Sequence, residues 1–110
     1  EVEENLMDLV TAISGSGPAY FFLMAEEIEK AAVSQGMPEE KARTFAGETL
    51  WGAAKVLKET GRRASDLREA VSSPGGTTVA ALEEFERADF SNMVRCAIEA
   101  ARRRAQELAR

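Results

Sequence analysis

The 110-residue chain contains no histidine. Histidine is the commonest general acid or base near neutral pH and the commonest metal ligand, so any chemistry on this chain must use other groups. The single cysteine, Cys96, excludes an internal disulfide and fits a reducing, cytoplasmic setting. With no histidine to activate its thiol, Cys96 is expected as a small buried apolar residue rather than as a nucleophile. Long apolar runs are missing too. The longest strongly apolar stretch, Pro18 to Ala25, ends at Glu26 and Glu27, far short of the ~20 residues that span a bilayer. Neither a membrane segment nor a secretory signal is therefore expected. The start at Glu1, without methionine, points to a piece of something longer.

An excess of positive charge is also absent. The 14 Lys and Arg against 19 Asp and Glu leave a formal net charge of −5, which disfavours broad attraction to nucleic acid or anionic lipid. What the chain does have is apolar residues, 45% of the total, enough for one soluble domain of this length to bury a core.

No stretch sustains the two-residue alternation of a half-buried strand, and Gly and Pro divide the chain into helical lengths. The expected class is all-α, with about six helices in a single domain over residues 1–110. Leu6, Leu9, Val10 and Ile13 share one face of a first helix from about Glu4 to Ile13, which Ser14-Gly15-Ser16-Gly17 interrupts. Pro18 opens a second helix ending near Gln35, with Gly36 beyond it. Its first half is apolar all round through Tyr20, Phe21 and Phe22, which points to burial partly by another subunit. A third helix runs from Pro38 to Gly61 and is rich in small residues, among them Gly47 and Gly52, that let neighbouring helices approach closely. Ser65 is expected to cap a brief fourth helix to about Val71, a fifth ends near Arg87, and Asp89 is expected to cap a long last one.

Paired glutamates at Glu26/Glu29 and Glu83/Glu86 lack the Glu-x-x-His partners of a di-metal site, so no metal is expected. They read as solvated faces with ion pairs four residues apart, Glu26 with Lys30 and Glu99 with Arg103. Arg102, Arg103 and Arg104 lie toward a helix end, where cations complement the dipole, and no nucleic-acid partner is expected. The stretch Ser73-Pro74-Gly75-Gly76-Thr77-Thr78 differs in kind. Two adjacent glycines free the backbone to turn successive N–H groups toward one point, and the following helix adds the positive end of its dipole. Local physics leaves two readings open, an anion-binding nest for a small carboxylate and a tight interhelical turn with Thr77 as cap.

The stretch from Leu67 to Leu82, with Val71-Ser72-Ser73-Pro74-Gly75-Gly76-Thr77-Thr78 at its centre, resembles the hallmark motif of pyrroline-5-carboxylate reductases. Two further segments agree with that family in order, Met7 to Tyr20 and Gly52-Ala53-Ala54-Lys55-Val56-Leu57. The resemblance implies the C-terminal, all-helical dimerisation domain of an oxidoreductase of proline biosynthesis. Two copies would interlock, with dimers building larger rings. It further implies that Ser73, Gly76 and Thr77 bind the carboxylate of 1-pyrroline-5-carboxylate, chiefly through backbone N–H groups. Val71 and Gly75 would shape the pocket, and Thr78 would act as the catalytic contact by hydrogen-bonding the ring nitrogen. NADPH or NADH would be held by an N-terminal dinucleotide-binding domain, for which this chain has no Gly-x-Gly-x-x-Gly after a strand, so alone it is expected to be inactive. The alternative is a non-catalytic helical interaction module in which the Pro-Gly-Gly-Thr loop is only a turn.

Overall fold

The computed structural model describes residues 4–109, with side chains from Leu6 onward. Glu1 and Arg110, the ends of the expected single domain, lie outside the described residues. Among those described there is no strand. The order is α1 (Glu4–Val10), a π-helical turn (Thr11–Gly15), α2 (Gly17–Ser34), α3 (Glu39–Thr60), α4 (Ala64–Ala70), α5 (Thr77–Arg87) and α6 (Phe90–Leu108).

The punctuation follows the sequence where backbone conformation decides it. Gly36 (φ 107°) and Gly61 (φ 66°) take the left-handed conformation beyond α2 and α3. Pro38 precedes α3, whose first turn carries Glu39 and Glu40. The expected side-chain caps are not there. Ser65 lies inside α4, which starts at Ala64 after an extended Arg63 that makes no capping bond. Its start is set by the backbone leaving Gly61, where the Arg62 N–H donates to Thr60 Oγ1 at 3.2 Å. Asp89 does precede α6, but in the left-handed conformation (φ 61°, ψ 45°), and its carboxylate makes no capping bond.

Ser14-Gly15-Ser16-Gly17 interrupts the α register as expected, Ser16 lying between the π turn and α2, but the chain stays helical up to Gly15. The Ser16 N–H donates to the Thr11 carbonyl, five residues back, at 3.0 Å. In α register that amide would go to Ala12, whose carbonyl instead accepts from the Tyr20 hydroxyl at 2.7 Å. Pro18 has no N–H to place, so widening this turn is cheap. The joined run Leu6–Ser34 is long and apolar enough to cross a membrane by length and composition, with mean hydropathy 1.2 and 17% of its apolar window buried. This run is longer than the Pro18 to Ala25 stretch because the π turn carries helix on from α1.

The residues fall into two compact units, one made of the chain up to Tyr20 and from Ala80 onward, the other of Phe21–Val79. In the first, α6 packs on α1 and the π turn. Ala12 is fully buried there, and Asp8 is 6% exposed, its Oδ2 without a hydrogen-bond partner among the described residues. In the second, Ala42 and Ala46 of α3 are buried. Met24 and Ile28 of α2 with Phe45 and Leu50 of α3 line an apolar groove of 310 Å³.

Among the described residues the 45% apolar content produces only a small buried core. Its buried hydrophobic residues are Ala12, Ala42 and Ala46, whereas Phe22 and Trp51 are 68% and 62% exposed. Cys96 is exposed as well, against expectation, because the α6 face it shares with Met93 is left uncovered by the chain itself. The expected ion pairs are present at the surface, Lys30 with Glu26 at 3.5 Å and Arg103 with Glu99 at 2.5 Å. Arg104 pairs with Glu107 at 2.9 Å, so two of the three consecutive arginines are engaged within α6.

Candidate functional site

The segment joining α4 to α5 lies wholly within the second unit. Its backbone closes a four-residue turn over positions 73–76, the Gly76 N–H donating to the Ser73 carbonyl at 3.0 Å. Pro74 followed by Gly75 at φ 73° is the order a type II turn requires. Gly76 is glycine for a separate reason. A Cβ there would stand 3.1 Å from the Ser73 carbonyl oxygen, so a side chain would press the turn open.

The turn delivers the chain directly into α5 at Thr77. The N–H groups of Thr77, Thr78 and Val79 form the first turn of that helix and have no carbonyl four residues back inside it. No acidic side chain occupies this first turn, so the positive end of the α5 dipole is left to an external anion. The Gly76 N–H, expected as a carboxylate donor, is engaged inside the turn, so Gly76 enters the site by shaping the backbone while Thr77 and Thr78 present open amides. Thr77 is exposed and Thr78 half-buried, and their hydroxyls have no acceptor among the described residues. Ser73 is exposed beside them. Val71, 66% exposed, leaves α4 with its N–H on the Arg68 carbonyl at 3.3 Å. The structure thus brings Val71, Ser73, Gly75, Gly76, Thr77 and Thr78 onto one loop and helix start.

Sequence reasoning passed over Ser72. This half-buried residue donates its N–H to the Glu69 carbonyl at 3.0 Å and its hydroxyl to the Arg68 carbonyl at 2.5 Å, fastening the loop to the last turn of α4. A serine one or two residues beyond a short helix was the available signal.

The donors suit a small anion. They do not suit a dinucleotide, since the described residues form no strand and the sequence has no Gly-x-Gly-x-x-Gly to cradle a pyrophosphate. No group of three metal-ligating side chains is gathered among the described residues.

The family model for pyrroline-5-carboxylate reductase dimerisation matches residues 4–108. The pyrroline-5-carboxylate reductase of Synechocystis sp. is 44% identical over 108 residues, covering 98% of this chain and 40% of the relative. That of Corynebacterium melassecola is 45% identical over 108 residues, with the same 98% and 40% coverage. Among solved structures, the Coxiella burnetii pyrroline-5-carboxylate reductase superposes with a TM-score of 0.92 at 38% identity, over 98% of this chain and 40% of that one. The Plasmodium falciparum pyrroline carboxylate reductase, solved with NADP bound, gives 0.91 at 33% identity, over 100% and 42%. The chain therefore spans about two fifths of the length of the relatives it matches. Matched along all but its extreme ends, and all-helical as that match requires, the chain belongs to the pyrroline-5-carboxylate reductase dimerisation family.

Proposed function

We propose that this chain is the dimerisation and substrate-binding domain of an enzyme that reduces 1-pyrroline-5-carboxylate to L-proline with NAD(P)H. The observation that carries the reading is the closed turn at residues 73–76, which leads straight into α5 and its first amides, Thr77 and Thr78. The substrate carboxylate sits on the Thr77 and Thr78 N–H groups beside Ser73, with Val71 and Gly75 bounding the ring. Two hydrogen bonds to a charged group, at about 1.5–3 kcal/mol each, reach the ~4 kcal/mol of a millimolar ligand without an arginine. The Thr78 hydroxyl meets the ring nitrogen. The ring imine enters in its protonated form, so NAD(P)H, when bound, would supply only a hydride to the C=N carbon, and the N–H proton already present would remain on the amine nitrogen of proline. The residues here serve by fixing the ring in place, which is why the reaction can proceed on a chain without histidine. The dinucleotide is held by a part of the gene product outside these residues.

The second element of the proposal is a homodimer, with larger rings of dimers built from it, in the cytoplasm rather than in a membrane. The homodimer is supported by the large apolar side chains that one copy leaves open, Phe22 and Trp51 among them. The test is direct. The whole gene product, mixed with 1-pyrroline-5-carboxylate and either NADPH or NADH, is expected to oxidise one or both nucleotides and release proline. No turnover with either nucleotide would remove the enzymatic reading and leave an interaction module.

A further inference from the structure

Five described hydroxyls donate to a carbonyl three or four residues back: Thr11, Ser34, Thr44, Thr60 and Ser72. The first four lie within helical segments, where the backbone is already fixed by its own ladder and the bond to the carbonyl doubles one already made, although Thr60 Oγ1 also accepts from the Arg62 N–H. Ser72 lies outside. It follows the end of α4 at Ala70, and its hydroxyl reaches back to Arg68 while its N–H reaches Glu69. The next residue, Ser73, is the acceptor that closes the turn on Gly76, and Gly76 leads directly into Thr77 and the open amides of α5. Two sets of hydrogen bonds, one fastening Ser72 to α4 and one closing the turn from Ser73 to Gly76, thus follow each other directly along the chain up to the start of α5, and Ser72 supplies the one side chain in them. The rest of both sets is backbone, which makes Ser72 the point where a single substitution can loosen the loop without altering any group that touches the ligand.

We propose that Ser72 is a positioning residue for the substrate carboxylate. Its hydroxyl holds the loop in the one arrangement that aims the Ser73, Thr77 and Thr78 groups together. This inference rests on the loop being the carboxylate site. Without the hydroxyl the loop samples other arrangements, and apparent affinity falls in proportion to the competent fraction, whereas turnover of correctly bound substrate is untouched.

In the whole gene product, Ser72→Ala is expected to raise KM for 1-pyrroline-5-carboxylate about three- to tenfold, with kcat within about twofold of wild type. Ser72→Thr, which keeps the hydroxyl, is expected to restore KM. Thr44→Ala, which deletes the same kind of bond inside α3, is expected to leave KM unchanged. An unaltered KM in Ser72→Ala, or a Ser72→Thr variant as defective as the alanine, overturns the proposal. Amide hydrogen exchange on the same gene product gives a readout that needs no activity. Faster exchange at residues 73–78 in Ser72→Ala than in wild type supports the link, and equal exchange overturns it. A wild-type protein without reductase activity would count against the proposed reaction, while the exchange measurement would still decide the role of Ser72.

Discussion

Gly52→Ala separates the single chain from the assembled one by the sign of its effect. Gly52 lies in the middle of α3, half-buried, on a ridge with Phe45 seven residues before it and Val56 four after it, which are 59% and 47% exposed. An added Cβ meets no atom within 4 Å in the chain itself. Helix propensity alone then makes alanine better by about 1 kcal/mol, because glycine loses more backbone freedom on folding. A second copy packed on this ridge reverses the sign. Inserting a methyl into a close helix–helix contact costs about 1–3 kcal/mol, and a two-fold interface carries the substitution twice. The dimer dissociation constant is therefore expected to rise by at least about tenfold, read by sedimentation equilibrium, with the denaturation midpoint falling more at low than at high protein concentration. A variant with a higher midpoint and an unchanged dissociation constant would refute the claim that α3 meets its partner across Gly52.

Other expectations follow from the same observations. Thr78→Val in the whole gene product should lower kcat/KM for 1-pyrroline-5-carboxylate about tenfold, the loss of one hydrogen bond to a charged group; unchanged kinetics would take Thr78 out of the site. Tyr20→Phe strips the donor from the carbonyl of fully buried Ala12 and should cost about 1–3 kcal/mol, several degrees in a thermal melt. An unmoved midpoint would mean that this bond does not brace the π turn. The Leu6–Ser34 run should stay with a water-soluble dimer, so the protein should sediment rather than float with neutral lipid vesicles.

Helix ends governed by backbone conformation were legible in the sequence. Gly36, Pro38 and Gly61 each have few alternatives, and each sits where the chain turns. The loop at Pro74-Gly75-Gly76 was legible for the same reason, since two glycines in succession signal a backbone demand that no side chain explains. Ser65 and Asp89 were misread as caps because capping depends on a side-chain geometry that the neighbouring backbone can pre-empt. The π turn was invisible, since a hydrogen bond moved from Ala12 to Thr11 leaves the amino-acid pattern unchanged. Cys96 went wrong for a physical reason of a different order. Apolar periodicity says that a face is to be covered, and it does not say by which chain, so α6 could be recognised as amphipathic while Cys96 and Met93 remain exposed in one copy.

That the buried hydrophobic side chains among the described residues are all alanines bears on the timing of folding as much as on its energetics. If the proposed homodimer covers Phe22 and Trp51, the chain has no separate folding step followed by docking. Collapse and encounter become one bimolecular event, whose half-time shortens as the chains become more abundant. Synthesis of two nascent copies close together then favours the native route, and dilution during refolding slows it.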